Sequence, residues 1–147
     1  MEPIGYLLAD NSRLARWAFD RRVRELGVTG PQARLLLTLD RTPGQNQGFY
    51  AERLEVEPIT LCRMVDRLEE AGLIERHPDP NDRRARLLHT TPKCRKFLEQ
   101  LQLALDELLD DMLAGLSADE CAEFRRLLLR VGENLSAHRE TLKASHG

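Results

Sequence analysis

Residues 58–91, PITLCRMVDRLEEAGLIERHPDPNDRRARLLHTT, carry the pattern that decides the fold. Leu61, Val65 and Leu68 recur at helical spacing, so they predict a helix with one apolar face. Gly72 follows this helix, at a position where a left-handed residue commonly ends one. The polar side chains between the apolar positions are expected to face outward, which makes this helix a candidate contact surface.

A predicted β-hairpin follows the helix. Leu73 and Ile74 begin one strand, and the turn-forming residues of 78–82, PDPND, reverse the chain. Apolar and polar residues alternate again over 86–90, which predicts a returning strand. Helix, strand, charged turn and strand form the outline of a winged helix, whose helix reads the major groove of DNA while its wing contacts the backbone or minor groove. A plain α+β surface hairpin with a solvated run of charges is the alternative interpretation.

A second short helix is predicted directly before this segment. Phe49, Tyr50 and Leu54 define it, and it ends at about Glu55. Pro58 opens the next helix, at the first position where proline is tolerated. Two short helices separated by three or four residues match a helix-turn-helix, with the second as the recognition helix.

The residues predicted to contact DNA lie in the recognition helix and on the wing. An arginine such as Arg63 suits the O6 and N7 acceptors of guanine, and Leu61 or Ile59 suits a thymine methyl. The full predicted set is Pro58, Ile59, Thr60, Leu61, Arg63, Arg67, Arg83, Arg84 and Arg86.

The overall composition suits one globular domain. The chain has 147 residues, of which 41% are hydrophobic and 31% charged. No apolar run approaches ~18 residues, and the first residues lack the basic lead and apolar core of a signal peptide. The sequence therefore predicts no membrane span, and the expected location is the cytoplasm.

Charge is distributed unevenly along the chain. The net charge is −2, which alone argues against a general nucleic-acid binder. However, residues 76–95 hold six Lys or Arg against two acids, whereas residues 96–147 hold six against ten. A basic tip on an acidic body is expected to turn that tip toward phosphates.

No pattern in the sequence indicates catalysis or metal binding. Cys62, Cys94 and Cys121 are an odd number without CxxC spacing, which argues against a disulfide framework and a zinc site. The histidines lack metal-ligand spacing, and neither a phosphate-binding glycine loop nor a nucleophile elbow occurs. We therefore predict no enzyme, no metal site and no cofactor.

Long helices are predicted on both sides of the winged helix. One spans about residues 3–26 and ends at Gly27, and two follow the wing, with a capping box at Ser117–Glu120 between them. The last two carry an apolar residue every three to four positions. This apolar face exceeds what one small domain covers, so a symmetric homodimer through the first and last two helices is expected.

The motifs of this segment resemble the MarR family of winged-helix transcription regulators and, within it, the SlyA-like branch. The matching motifs are Leu61-Cys62-Arg63, Val65-Asp66-Arg67-Leu68-Glu69, Gly72-Leu73-Ile74-Glu75-Arg76, and Asp82-Arg83-Arg84 with Thr91 and Lys93 beyond. Thr90 stands where the family usually has Leu, and Cys94 where it usually has Gly. Both departures lie at the junction between the wing and the next helix.

The resemblance implies a fold, a partner and a division of the chain. The fold is α+β and mostly helical, with a winged helix-turn-helix lobe at residues 28–92 and a dimerisation region formed by residues 1–27 and 93–147. The partner is double-stranded DNA with a palindromic operator, bound by a homodimer. In SlyA-like proteins the arginine that matches Arg63 contacts DNA, and the one that matches Arg84 enters the minor groove. Asp82 is expected to hold the wing by pairing with a nearby arginine, for which Arg76 is the candidate.

The resemblance also implies an effector site. Family members bind small anionic aromatic molecules in a crevice between the DNA-reading lobe and the dimer helices. The matching positions are Arg13, Arg16 and Trp17, since arginine beside an aromatic ring suits a carboxylated ring. Solvated arginines, or arginines paired across the dimer, are the alternative.

Two function classes remain from the residues. The first is a homodimeric, sequence-specific DNA-binding regulator. The second is a winged-helix protein–protein interaction module without DNA binding, which the arginines of the wing and Arg63 disfavour because such a module needs no phosphate-facing charge.

Overall fold

A computed structural model describes residues 2–147 of the chain. This part contains six helices and one two-stranded antiparallel sheet, in the order α1 (Ile4–Arg24), α2 (Gly30–Arg41), α3 (Gln47–Leu54), α4 (Pro58–Glu70), β1 (Ile74–Asp79), β2 (Asp82–Thr90), α5 (Cys94–Met112) and α6 (Ala118–Ser145). The predicted class, α+β and mostly helical with a winged helix-turn-helix, is confirmed.

Local capping signals place the helix starts. Thr29 caps α2: its hydroxyl accepts the backbone N–H of Gln32 at 3.3 Å, and the Gln32 side chain accepts the N–H of Thr29 at 3.0 Å. Ser117 and Glu120 form the same reciprocal pair at the start of α6. Both pairs satisfy backbone donors that a helix start leaves open, and the capping box predicted at Ser117–Glu120 is confirmed.

The chain divides into two compact units, residues up to Leu108 and residues from Leu109 onward. The first unit holds the hydrophobic core, in which α2 and α4 are central. The fully buried large side chains are Val23, Leu35, Leu36, Leu39, Tyr50, Leu61, Val65, Ile74, Leu88, Cys94 and Leu101. Because α4 buries one face in this core, its opposite face is fixed as surface, whereas residues 30–39 of α2 are all at least partly buried.

The loop between α2 and α3 extends the sheet. Leu88 of β2 exchanges two backbone hydrogen bonds with it: Leu88 accepts from the N–H of Gly44 and donates to the carbonyl of Gln45, both at 2.9 Å. The buried Tyr50 hydroxyl donates to the carbonyl of Thr42 at 2.6 Å and accepts the N–H of Gln45. Burial raises the pKa of this phenol, although the bond from Gln45 opposes the shift. The loop between α2 and α3 therefore supports the base of the wing.

The wing turn is tighter than the sequence predicts. Residues 78–82 were expected to form the turn, but the strands continue through Asp79 and Asp82, and only Pro80 and Asn81 lie between them. The Asp79 carboxylate accepts the N–H of Asn81 at 2.8 Å, and the Asp82 carboxylate accepts the N–H of Arg84 at 2.9 Å. Two aspartates that bond the backbone two residues ahead make the compact reversal possible.

The second unit contains the end of α5 and the whole of α6. Among the described residues of α6 none is buried. Its large apolar side chains are half exposed along one stripe: Phe124, Leu127, Leu128, Val131, Leu135 and Leu142. A groove of about 1150 Å³ runs between Leu109 or Met112 and small residues of α6 such as Gly132. This unit therefore presents an apolar surface that its own residues do not cover.

None of the helices described between residues 2 and 147 has the length and apolar character that crossing a membrane requires.

Gly30 allows a close approach between α1 and the start of α2. A Cβ at residue 30 would lie 1.8 Å from Oδ1 of Asp20, whose carboxylate is held by Nη1 of Arg34 at 2.9 Å. We expect Gly30→Ala to push this carboxylate away from Arg34 and to lower the free energy of unfolding by about 1 kcal/mol, as for an ordinary packing defect. Urea denaturation measures the change.

The control is the same substitution in an Asp20→Ala background. With the carboxylate gone, the nearest obstacle to a Cβ at residue 30 is removed, so Gly30→Ala should cost less there, and the remaining cost is the strain of an alanine before Pro31 in the helical region. An equal loss of unfolding free energy in both backgrounds would show that the Asp20 carboxylate is not what requires glycine at residue 30.

Candidate nucleic-acid interface

The recognition helix α4 presents a sharply divided surface. It begins at Pro58 and buries Leu61, Met64, Val65 and Leu68 against the core. The exposed residues of the helix include Pro58, Ile59, Thr60, Arg63 and Arg67, and also the acids Asp66, Glu69 and Glu70 toward its end. Ile59 is 64% exposed at the first turn. A branched apolar side chain beside a threonine and two arginines suits contact with base edges and phosphates.

Leu61 does not belong to this surface. It was predicted both as part of the apolar stripe and as a DNA contact, but its side chain is 0% exposed. A residue that fills the core at this spacing cannot also reach a base edge. The prediction of Leu61 as a DNA contact is therefore wrong.

The turn between α3 and α4 has a defined backbone. Glu55 ends α3 with a left-handed φ of 55°, and its N–H reaches the carbonyls of Ala51 and Glu52. The N–H of Val56 also bonds the carbonyl of Ala51, at 3.0 Å. At the other end of α3, the Asn46 side chain accepts the N–H of Phe49 at 2.9 Å. These bonds set the direction in which α4 leaves α3.

The wing carries three exposed arginines on β2: Arg83, Arg84 and Arg86. The antiparallel register pairs Ile74 with Thr90 and Pro78 with Arg86. The register then shifts, because Asp79, the residue after Pro78, pairs with Asp82. Arg83 and Arg84 therefore lie in an irregular stretch of β2 near the tip, and Arg86 lies where the regular pairing begins.

Arg76 on β1 joins the wing to the recognition helix. Its Nη2 lies 2.6 Å from Asp66 and its Nη1 lies 2.9 Å from Glu69, both on α4. Its Nε donates to the side chain of Gln47, the first residue of α3, at 3.2 Å. Burial lowers the pKa of this guanidinium, but the bond to Asp66 and the charge of Glu69 outweigh burial and raise it. The guanidinium is therefore held by two carboxylates and one amide.

These contacts correct the predicted role of Asp82. Arg76 was its expected partner, but Arg76 is directed toward α4, and its register partner is Leu88. Asp82 bonds the backbone N–H of Arg84 instead. The two residues are close in sequence, which suggested the pair. In the structure, the Arg76 side chain leaves β1 toward Asp66 and Glu69 of α4, away from the tip of the wing that holds Asp82.

Two histidines meet at the base of the wing, a feature that sequence reasoning missed. The rings of His77 and His89 stack with centroids 4.5 Å apart, and His77 Nε2 lies 2.9 Å from the Glu75 carboxylate. Gly44 of the supporting loop lies against His89, since a Cβ there would be 3.2 Å from the ring. The stack stiffens the hairpin where it meets the loop.

The residues predicted to bind an effector are only partly brought together. Arg13 pairs with Asp10 at 2.7 Å, and the cation over the Trp17 ring is Arg21, at 5.2 Å from its centroid. An open cavity of about 390 Å³ is lined by Trp17, Ala18, Arg21, Arg22, Glu25 and Glu107. Trp17 therefore lines a cavity, and the arginines beside it are Arg21 and Arg22 rather than the predicted Arg13 and Arg16.

Among the described residues, no group of His, Cys, Asp or Glu side chains could hold a metal ion. The three thiols are free, and burial together with the charge of Asp40 raises the pKa of Cys94 to about 11. Cys94 therefore stays protonated at neutral pH, in keeping with an inert core residue at the start of α5.

A helix-turn-helix followed by an arginine-bearing β-hairpin defines the class of winged-helix DNA-binding proteins. The MarR family model matches residues 28–85 of the chain. A crystal structure of MarR is 30% identical over 94% of both chains, with a TM-score of 0.84. The chain belongs to the MarR family.

Other solved structures agree with this membership. The transcriptional regulator PA3341 is 34% identical, covers 92% of this chain and 99% of its own, and has a TM-score of 0.79. A mutant of MarR from E. coli complexed with operator DNA is 29% identical, covers 88% and 93%, and has a TM-score of 0.73. Members of the family are DNA-binding transcriptional regulators and not enzymes. Membership therefore confirms the prediction of a DNA-binding regulator and the prediction that the protein is not an enzyme. Membership in the SlyA-like branch stays a prediction.

Proposed function

We propose that this protein is a transcriptional regulator that binds a palindromic DNA operator as a homodimer, one half-site per subunit. The observation that carries the proposal is the exposed face of α4, where Ile59, Thr60, Arg63 and Arg67 stand beside a wing with three arginines. That a related MarR mutant binds operator DNA through the same fold supports it. Such a regulator works where the chromosome is, so we place it in the cytoplasm.

The proposed division of labour follows the two parts of the surface. Arg63 reads a guanine from the first turns of α4, with Pro58, Ile59, Thr60 and Arg67 around it. On the wing, Arg84 enters the minor groove, while Arg83 and Arg86 bind phosphates. Residues 28–92 thus form the DNA-binding lobe.

A second copy of the chain is the proposed cover for the apolar terminal helices. Six large side chains along one stripe of α6 are 43–59% exposed, and α1 leaves Ile4, Leu7, Leu8 and Leu14 at 44–85%. Burying a side chain of this size contributes about 1.5–3 kcal/mol, so leaving all of them in water is costly. Residues 1–27 and 93–147 are therefore assigned to dimerisation.

Selecting bound DNA from a random pool tests the function directly. We expect the wild-type protein to enrich a palindrome whose half-sites lie about one helical turn apart. Arg63→Ala should enrich the same palindrome with one base pair per half-site relaxed, a loss of about 1–3 kcal/mol in discrimination. Enrichment of a single unrepeated site would contradict the dimer. No enrichment at all would favour the alternative, a protein–protein interaction module.

For substitutions in the wing, electrostatics and geometry predict opposite changes in operator affinity. Arg84→Ala should weaken binding to all operator variants by similar factors, because it removes one backbone or groove contact. For the same reason, the slope of log affinity against log salt concentration should fall in magnitude by about one unit. Asp82→Ala should also weaken binding, although it removes a negative charge, because the bond from the Arg84 N–H to its carboxylate is lost.

Titration of both variants against one operator across a salt series measures these effects. Asp79→Ala is the matched control at the tip, since it removes the same charge and the neighbouring turn bond to Asn81. Tighter binding by Asp82→Ala would mean that the wing acts only as a patch of charge.

We also propose that a small anionic aromatic molecule weakens operator binding. Trp17 lines an open cavity with Arg21 and Arg22 and with the acids Glu25 and Glu107, and the predicted Arg13 and Arg16 lie on the same helix outside this lining. A carboxylated ring therefore finds an aromatic face and two cations in the cavity. Coupling between an effector site and a DNA site is typically about 1–3 kcal/mol.

Operator titration with and without millimolar salicylate measures this coupling. We expect weaker binding with salicylate in the wild type and a smaller response in Trp17→Leu. Arg41→Ala, at the exposed end of α2, serves as a control that keeps the response. Unchanged operator affinity in the wild type would remove the effector from the proposal.

A further inference from the structure

Arg76 occupies a position unlike that of the other arginines of the wing. Its side chain is only 20% exposed, whereas Arg83, Arg84 and Arg86 are exposed. All three of its nitrogens are engaged: Nε with Gln47, Nη1 with Glu69 and Nη2 with Asp66. A guanidinium with its donors committed in this way is not available to a phosphate.

The partners of Arg76 lie on the two helices of the helix-turn-helix. Asp66 and Glu69 are three residues apart, so they project from one face of the last turns of α4. Gln47 is the first residue of α3. One side chain from β1 therefore touches both helices, and it does so through a planar fork that fixes direction as well as distance.

The hairpin has few other means of holding its orientation. Ile74 and Leu88 are buried at its base, but beyond Arg76 the residues of β1 are exposed or only partly buried. The backbone bonds from Leu88 to the α2–α3 loop hold β2 but do not reach α4. Just after β2, the Thr91 hydroxyl and the Lys93 ammonium also donate to the carbonyls of Gly72 and Ala71, at the end of α4. The Arg76 cluster is thus the polar link between a strand of the wing and side chains of the recognition helix.

We propose that Arg76 is a positioning residue that sets the angle between the recognition helix and the wing, so that both fit the same half-site. This inference rests on the proposed function, since it concerns how the two contacts on DNA are combined. A single exposed ion pair contributes little to stability, because ordering its side chains costs conformational entropy. Here one ordered guanidinium binds two carboxylates and an amide, so the entropy of the arginine side chain is lost once for three bonds. Helix and wing then bind as one pre-organised unit.

Neutralising the carboxylate partners of Arg76 tests whether operator affinity rises or falls. Asp66→Asn and Glu69→Gln each remove a negative charge from the helix that approaches DNA, so electrostatics alone favours tighter binding. Positioning requires the opposite, a loss of about 5-fold or more in affinity for the selected operator, at the lower end of the range for coupled sites. Glu70→Gln is the matched control, because it removes the same charge one residue further along α4 and outside the Arg76 cluster. It should bind equally or more tightly.

A second measurement separates positioning from plain stability. We expect Arg84→Ala to cost less affinity in an Arg76→Ala background than in the wild type, because a wing that is no longer held contributes less. Arg76→Lys keeps the positive charge but lacks the planar guanidinium, so the cost of Arg84→Ala in that background should be intermediate. If Arg76→Ala does not fold, as judged by circular dichroism and thermal unfolding, Glu69→Gln replaces it as the background.

Arg34→Ala controls for the loss of any ion pair in the same unit. It breaks the Arg34–Asp20 pair, which is 34% and 30% exposed and lies between α1 and α2. It should lower thermal stability and leave the cost of Arg84→Ala unchanged.

The outcomes distinguish the inference from the function beneath it. Equal costs of Arg84→Ala in all backgrounds, or tighter binding by Asp66→Asn and Glu69→Gln, would overturn the positioning role while operator binding stands. A wild-type protein that selects no DNA would overturn the proposed function itself.

Discussion

Burial of one face of α4 is the constraint on which the rest of the molecule depends. Leu61, Met64, Val65 and Leu68 fill the core, so the rotation of the helix about its axis is fixed. That rotation places Arg63 and Arg67 in solvent. A turn of the helix by one residue would expose leucines and bury arginines, and the cost of burying an unpaired charge excludes it. The surface proposed to read DNA is thus a consequence of core packing.

The wing depends on a different kind of support. A two-stranded hairpin is marginal by itself in water, and this one gains backbone bonds from the α2–α3 loop, ring stacking between His77 and His89, and the ion pairs of Arg76. Each of these contacts joins the hairpin to itself, to the α2–α3 loop or to the helix-turn-helix. The exposed arginines of β2 contribute none of this support, so they remain available for a polyanion.

The second unit has the opposite character. Its apolar side chains form a stripe along α6 and line a groove, without a core of their own. Surfaces of this kind on a helix mark contact with another chain. The proposed symmetric partner would cover this surface and present a second copy of the proposed DNA contacts, which is why association and recognition of a palindrome belong to one proposal.

Much of this architecture could be predicted from local sequence. The spacing of Leu61, Val65 and Leu68, the capping residues Thr29 and Ser117, and Gly72 with its φ of 77° each act within a few positions, so they specify helices and their ends directly. The same local reasoning identified the exposed face of α4 and the arginines of the wing.

The tertiary structure alone decided the contacts between distant segments. Arg76 meets Gln47, twenty-nine positions away, and the Asp20 carboxylate lies against Gly30. Leu61 had two compatible roles in the sequence, and only packing assigned it to the core. Periodicity records which residues share a face, but it carries no information about the element that this face meets. That choice is made by the packing of all the elements together.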